Sequence, residues 1–433
     1  MNITDFSLKL NGYPIKDAQK KLHEIQNISV HNFDTYVTQA KEDIVNYHLK
    51  NNSFYNALCK NEFSTWNDLP ILTKKDLQVP LQDRLSNGFS NTTIYTNKTS
   101  GSTGNPFYFA KDKFSHALTW AVIKNRFNWH GLHGKKQARF YGIPNETIPR
   151  LKERLKDVLS NRYRFNVFDL SDAAFDNWLD KFNKNKFVYL NGYTTVIVAF
   201  ANYLNSKNLI LKDICPSLKA CVVTSEMCFE EDKIVMQNAF GVPVINEYGA
   251  SELDLIAFQN SQMQWILNTE SLFVEILDNN NKPVPFGTVG KVVITSLYNK
   301  AHPFIRYELG DLGAIKKVSA KTYILDKLQG RKEDIVRLPS GKISPGLTFY
   351  YITKSVVKDN GVVKEIKILQ TKIDSFEIHY SATDKLSEKQ QQIIQNALYE
   401  YLEPNLNISF HKFDQLERSK SGKLKQFTSL IKL

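Results

Sequence analysis

Apolar and polar positions follow different rhythms along the chain. Over residues 1–90 aromatic and charged residues interleave, which predicts a largely helical N-terminal region. Further on, short apolar runs alternate with longer helix-like segments. FVYL at 187–190 is an apolar run closed by Asn191-Gly192, and TTVIVAFANYL after it predicts a buried helix. KACVV at 219–223 predicts a strand that ends at Thr224-Ser225-Glu226. EEDKIVMQNAF predicts a helix, and VPVI at 242–245 a strand followed by the turn NEYGASE. Strand, loop, helix, strand is the rhythm of an α/β fold with a mostly parallel sheet. In such sheets ligands bind where the strands' carboxyl ends meet the loops. Those loops here carry TSE and YGASE.

From about Trp265 the texture becomes β-rich. SLFVEILD and GKVVITSLY, separated by NNNKPVPFG, predict a small antiparallel barrel or meander appended to the α/β core. A last unit begins near Arg331. VVKEIKILQ and FEIHYSA predict strands, and LNISFHKF alternates like one. Between them SEKQQQIIQNALYEYL carries a capping box, Ser387 with Gln390. Its apolar Ile393, Ile394, Ala397, Leu398, Tyr401 and Leu402 share one helical face. The pattern predicts a large domain over 1–330 and a small α+β domain over 331–433.

Composition narrows the classes. The chain has 433 residues, 42% hydrophobic and 23% charged, an ordinary globular balance that can bury a sizeable core. The net charge of +12 would suit nucleic acid, but the cations are spread in pairs such as Lys74-Lys75, Lys135-Lys136 and Lys316-Lys317. No zinc-finger, helix-turn-helix or RNA-binding signature accompanies them, so no nucleic-acid partner is expected. A basic surface also suits anionic small molecules such as nucleotides. Cys59, Cys215, Cys221 and Cys228 match no C-x-x-C spacing and are expected as reduced thiols. The start, MNITDFSLKLNGYPIKDAQ, has no basic region followed by an apolar run, and no apolar run approaches bilayer length. A cytoplasmic location and no membrane insertion are therefore expected.

Short segments carry candidate chemistry. KTSGSTGNP at 98–106 lacks the Walker-type spacing, yet its small residues would let backbone N–H groups approach an anion. In NEYGASE, Tyr248 could stack on a flat base, Gly249 permits close approach, and Glu252 could hold Mg²⁺. HPFIRYELGD ends in Asp311, whose carboxylate could accept from two ribose hydroxyls. SGKLKQF near the C-terminus offers Lys420 and Lys423 beside Gly422. Singly, each has a plain alternative: a turn, a tight loop, a capping Asp, a solvated basic tail.

Taken together and in this order, with LPILTKKDL at 69–77, VVTSE and LQGRKED, the segments resemble the adenylate-forming superfamily of acyl-CoA ligases and adenylation domains. Within it the chain resembles the phenylacetate–CoA ligase group, especially its capsular-polysaccharide-associated branch. The likeness runs along nearly the whole chain. It implies a large adenylating domain over 1–330 and a small mobile lid domain over 331–433. It implies ATP and Mg²⁺ as cofactors and a small-molecule carboxylic acid as substrate. Thr99, Ser100, Gly101, Ser102, Thr103 and Gly104 would wrap the β- and γ-phosphates. Ser225 and Glu226 would lie beside the adenine, and Tyr248 would stack on the base, with Gly249 at the cofactor site allowing close approach. Ser251 would touch the α-phosphate, Glu252 would coordinate Mg²⁺, and Asp311 would hold the ribose. Arg331 would approach the nucleotide from the domain boundary, Glu333 would be the hinge, and Lys423 the catalytic lysine.

The acid's pocket is expected to include Tyr141, Tyr193 and Thr224, with RFYG at 139–142 reaching the carboxylate pocket. Some relatives carry a Cys and a His after the Tyr-Gly-x-x-Glu loop; LDLIAFQNSQMQW offers neither, so no zinc is expected. The acyl acceptor stays open between CoA, an amine such as an amino sugar, and a carrier-protein thiol. A catalytically inactive nucleotide-binding homologue is the alternative of another class. Glu252, Asp311, Arg331 and Lys423 are all present, which weighs against it.

Overall fold

The structure is a computed structural model. It describes residues 8–59, 64–99, 107–142, 147–167, 169–226, 228, 230–329, 335–345, 349, 363–382, 384–414, 416 and 427–431. Among the described residues no helix is long and apolar enough to cross a membrane. The chain forms two compact units. One comprises Met1–Thr99, Phe107–Gly134 and Ile245–Arg331, and the other Ser100–Pro106, Lys135–Val244 and Lys332–Leu433.

The expected helical N-terminal region is present as α1 (Ile15–Asn27), α2 (Val30–Asn51) and α3 (Ser53–Cys59). Helix α1 buries Ile15, Ala18, Leu22 and Ile25, a stripe at helical spacing that faces the core. Ser29 caps α2 by accepting the Asn32 amide at 3.3 Å. Strands β1 (Ile94–Lys98) and β2 (Tyr108–Asp112) pair as an antiparallel hairpin. Asp112 then caps α4 (Lys113–Asn128), accepting the Ser115 amide at 2.8 Å.

The α/β segment follows the predicted alternation. It runs β3 (Gln137–Phe140), α5 (Thr147–Leu159), β4 (Arg162–Arg164), α6 (Asp172–Asn183), β5 (Tyr189–Tyr193), α7 (Thr194–Ser206), β6 (Ala220–Thr224) and α8 (Glu230–Phe240). These strands lie in the order β6-β5-β3-β4, all parallel. One sheet face is apolar: Phe140 stacks on Phe165 at 4.7 Å, and Trp178, Phe182 and Phe200 fill the layer beneath. Asn191-Gly192, expected to close a strand, lies inside β5 instead. Its role is packing rather than turning. A Cβ at Gly192 would sit 2.3 Å from the Phe140 carbonyl oxygen on the neighbouring strand.

The β-rich stretch comprises β7 (Val244–Ala250), β8 (Asp254–Gln259), β9 (Trp265–Leu267), β10 (Leu272–Leu277), β11 (Gly290–Ser296), β12 (Tyr307–Lys317) and β13 (Tyr323–Gln329). In the first unit they run β10-β11-β12-β13-β9-β8-β7 with antiparallel pairing, and β10 to β13 form the expected meander. Most of NEYGASE is strand β7; the chain turns only after Ala250, where the Leu253 amide donates to the Ala250 carbonyl at 3.0 Å. Arg126 of α4 and Gln26 of α1 both reach the buried Glu270, at 2.5 and 3.2 Å, and tie the helices to the sheet side.

The C-terminal stretch opens with a hairpin, β14 (Ile335–Arg337) with β15 (Ile343–Pro345). Strands β16 (Val363–Lys372) and β17 (Ser375–Ala382) follow, then α9 (Glu388–Tyr401), β18 (Asn407–Phe413) and β19 (Phe427–Ser429). The sheet order is β18-β17-β16-β19. Helix α9 buries Ile394, Ala397, Leu398 and Tyr401 into the core of this sheet, while Ile393 faces solvent at 45% exposure.

Candidate functional site

In the first unit the candidate residues converge through β7 and β12. Tyr248, near the end of β7, is 8% exposed, and its hydroxyl donates to Asp311 Oδ2 at 2.8 Å. Burial pushes the Tyr248 phenol well above its ordinary value, and the charges of Asp311 and Glu252 add to it, so it stays a donor. The Asp311 carboxylate keeps further acceptor capacity for hydroxyl groups. Asp311 sits where the β11–β12 ladder shifts register between Lys291 and Val293, an irregularity that re-aims side chains.

Gly249 follows at a second register shift, between β7 and β8. A Cβ there would lie 2.4 Å from the Asp254 carbonyl oxygen, so only glycine lets the strands approach this closely. The turn then exposes Ser251 and buries Glu252, which is 5% exposed. Glu252 Oε1 accepts the Tyr307 hydroxyl at 2.9 Å. The Tyr307 ring stacks on Phe107 with centroids 6.5 Å apart, and the Phe107 carbonyl accepts the Thr99 amide at 2.9 Å. This chain of contacts connects Thr99 to Glu252. Thr99 Oγ1 is buried with no hydrogen-bond partner, a state native proteins avoid unless something else satisfies it. A polar cleft beside Glu252 is lined by Lys111, Ser115, Thr119, Ser271, Ser296 and Tyr298. Lys111 is buried and paired with Asp254, which has a left-handed backbone at φ 58°.

In the second unit the candidates collect at the carboxyl ends of β3, β5 and β6. Tyr141 follows β3, Tyr193 ends β5 and Thr224 ends β6. The Tyr141 and Tyr193 rings meet at 4.8 Å, tilted by 55°. Ser225 has φ 72°, a left-handed conformation uncommon outside glycine that marks the loop as over-determined by its surroundings. The Glu226 carbonyl accepts the Thr194 hydroxyl at 3.4 Å. The sheet face behind this edge is polar. Gln137 Nε2 donates to Asn191 Oδ1 at 2.8 Å, and Asn191 Nδ2 to the Val222 carbonyl at 3.2 Å.

Ser100, Gly101, Ser102, Thr103, Gly104, Arg331, Glu333 and Lys423 lie outside the described residues. Tyr307 and Phe107 are the contributors that motif reading missed. Tyr307 stood within the quoted HPFIRYELGD, but its partner Glu252 is 55 positions away and only strand register brings them together. The residues present fit Mg²⁺ and a polyphosphate: a buried carboxylate held by one oxygen, and an orphaned hydroxyl at the base of the Gly/Ser loop.

The parallel α/β unit carries its candidates at the strand ends, and in the first unit strand register pairs Tyr248 with Asp311 and Tyr307 with Glu252. By sequence the chain is similar to Protein CapK and to a phenylacetate-coenzyme A ligase, and its fold is similar to that of a CoA ligase. It is 23% identical over 405 residues to Protein CapK of Staphylococcus aureus, covering 89% of this chain and 86% of that protein. It is 22% identical over 205 residues to phenylacetate-coenzyme A ligase of Pseudomonas putida, covering 44% and 46%. Among solved structures, 2-hydroxyisobutyryl-CoA ligase in complex with 2-HIB-AMP and CoA superposes with a TM-score of 0.60. The identity is 14%, over 93% of this chain and 90% of that one. No family model matches the chain.

Proposed function

We propose that this protein activates a small carboxylic acid with ATP as its acyl-adenylate and then passes the acyl group to an acceptor. The observation that carries this reading is the pair of contacts on β12: Tyr307 holds Glu252, and Asp311 holds Tyr248. A carboxylate oxygen of the acid attacks the α-phosphorus, the bond to pyrophosphate breaks, and pyrophosphate leaves with the electron pair. Tyr248 stacks on the base with its ring held by Asp311, and Asp311 accepts from the ribose. Ser225 and Glu226 flank the adenine, and Ser251 donates to the α-phosphate. The loop from Thr99 through Ser100, Gly101, Ser102 and Thr103 to Gly104 wraps the outer phosphates. Mg²⁺, held by Glu252, would offset the charge that grows as carboxylate approaches phosphate.

In this reading residues 331–433 are a lid domain that turns about Glu333, with Arg331 at the boundary. Lys423 enters for adenylation and withdraws for transfer. CoA is the first candidate acceptor, supported by the likeness to phenylacetate-coenzyme A ligase. An amine or a carrier thiol is the second. The test is acid-dependent exchange of labelled pyrophosphate into ATP across a panel of carboxylic acids. Exchange with at least one acid is expected; folded protein that exchanges with none overturns the reading. Adding CoA or an amino sugar to the preformed adenylate then identifies the acceptor.

A further inference from the structure

The polar face of the parallel sheet carries more positive charge than its own acids neutralise. Register places Arg139 of β3 opposite Arg164 of β4, and Gln137 opposite Arg162. Helix α5 supplies the counter-charges. Asp157 takes Arg162 at 2.5 Å and Arg164 at 2.8 Å, and Glu153 takes Arg164 at 2.9 Å. Arg139 is left out of this arrangement. It pairs with no carboxylate among the described residues, and its Nε is buried without a hydrogen-bond partner. Its charge bears on Arg162, whose guanidinium is pulled below its ordinary value by burial first and by Arg139 second. What holds Arg139 is the Tyr141 ring, 4.0 Å from its carbon, a contact that orients a guanidinium without neutralising it.

The position gives that charge a use. Arg139 is one residue from the end of β3, and Tyr141 beside it meets Tyr193 at 4.8 Å. A half-buried cation oriented against paired aromatic rings at the carboxyl edge of a parallel sheet is built to receive an anion. The reacting carboxylate must keep its lone pairs for phosphorus, so a guanidinium fork clamped on it would blunt the attack.

Resting on the adenylation reading above, we propose that Arg139 is a specificity-determining residue that binds a second anionic group on the acid. The preferred substrates are then dicarboxylic acids rather than uncharged monocarboxylic ones. The fork of Arg139 takes the distal carboxylate, and Tyr141 and Tyr193 flank the carbon skeleton.

The test compares matched acids, succinic with butyric and glutaric with pentanoic, in pyrophosphate exchange with the full chain. The dicarboxylic member should have the higher kcat/KM by about tenfold to a hundredfold, the size of one charge-assisted hydrogen-bonded pair. Arg139→Met should collapse that ratio toward unity, and Arg139→Lys, which keeps the charge and loses the fork, should retain part of it. Preference for the uncharged members, or an Arg139→Met variant that slows both members equally, overturns the inference. Calorimetric titration with succinate and butyrate separates this failure from that of the parent reading. Arg139-dependent succinate binding without any exchange keeps the anion site and removes adenylation. Absence of Arg139-dependent binding overturns the inference itself.

Discussion

Tyr307 shows what a single hydroxyl does here. It is 1% exposed and donates to a carboxylate that is itself almost wholly buried. Tyr307→Phe keeps the ring that stacks on Phe107 but leaves Glu252 Oε1 without this donor. An orphaned buried acceptor costs about 1–3 kcal/mol. On the proposed role of Glu252, the cost falls on the step that needs it in place. We expect kcat for pyrophosphate exchange to fall by about tenfold or more, with the KM for ATP changing less, as for an interaction realised mainly in the transition state. A kcat equal to the wild type would remove Tyr307 from the site. At this scale the sequence was informative about residue types and silent about partners. Tyr248, Glu252 and Asp311 each stood in a short segment with a usable chemistry. The Tyr248–Asp311 and Tyr307–Glu252 pairs, spanning 63 and 55 positions, depend on which strands become neighbours.

Elements were legible where their signals are local. Ser387 and Gln390 sit at capping-box spacing, and the structure closes both halves of the box. Gln390 Oε1 accepts the Ser387 amide at 2.9 Å, and Ser387 Oγ accepts the Gln390 amide at 3.4 Å. Ser387→Ala should therefore lower stability by about 1 kcal/mol, read as a shift in the urea midpoint of the transition that reports the C-terminal sheet. A midpoint unchanged within error would mean that packing of Ile394, Leu398 and Tyr401 alone sets the start of α9. Signals that needed a neighbour were misread. Asn191-Gly192 has turn composition, yet it is strand, because the local sequence carries no trace of Phe140 pressing on Gly192 from β3. Ile393 shares the apolar side of α9 by helical spacing, but the face that meets the sheet is narrower than the apolar stripe. The Arg139 imbalance was equally hidden, since it emerges only when β3 and β4 are placed side by side.

At the scale of the whole molecule, buried histidines of the first unit link its stability to pH. His48 is fully buried: Nε2 donates to the Asn299 carbonyl at 2.9 Å, and Nδ1 is left to accept from Ser86 Oγ at 3.2 Å. The neutral ring satisfies both contacts. His116 Nε2 accepts from Trp120 Nε1 at 3.1 Å while its ring stacks on Tyr95 at 3.9 Å. Burial pulls His48 down to about 4 despite the Asn299 hydrogen bond, which favours the charged form. Burial likewise pulls His116 down to about 4, with Asp254 and Lys111 acting in opposite directions on it. In the unfolded chain both return to an ordinary value near 6.5. Their folded values are therefore depressed, the folded state binds fewer protons, and stability is present above about 6.5 and lost as pH falls toward about 4. Each ring contributes roughly 3 kcal/mol across that window, a large share of the stability of any domain. Glu270 follows in a lower window. Burial raises its carboxyl, but the Arg126 charge and hydrogen bonds outweigh that and hold it below its ordinary value, so its contribution is lost only under more acid conditions. Urea unfolding of the first unit should thus show a midpoint that drops from pH 7 to pH 5. In His48→Gln, which can still donate to the Asn299 carbonyl, that slope should flatten in part, since the buried His116 and His302 remain. A midpoint constant over this range would mean that these rings are protonated in place or that water reaches them.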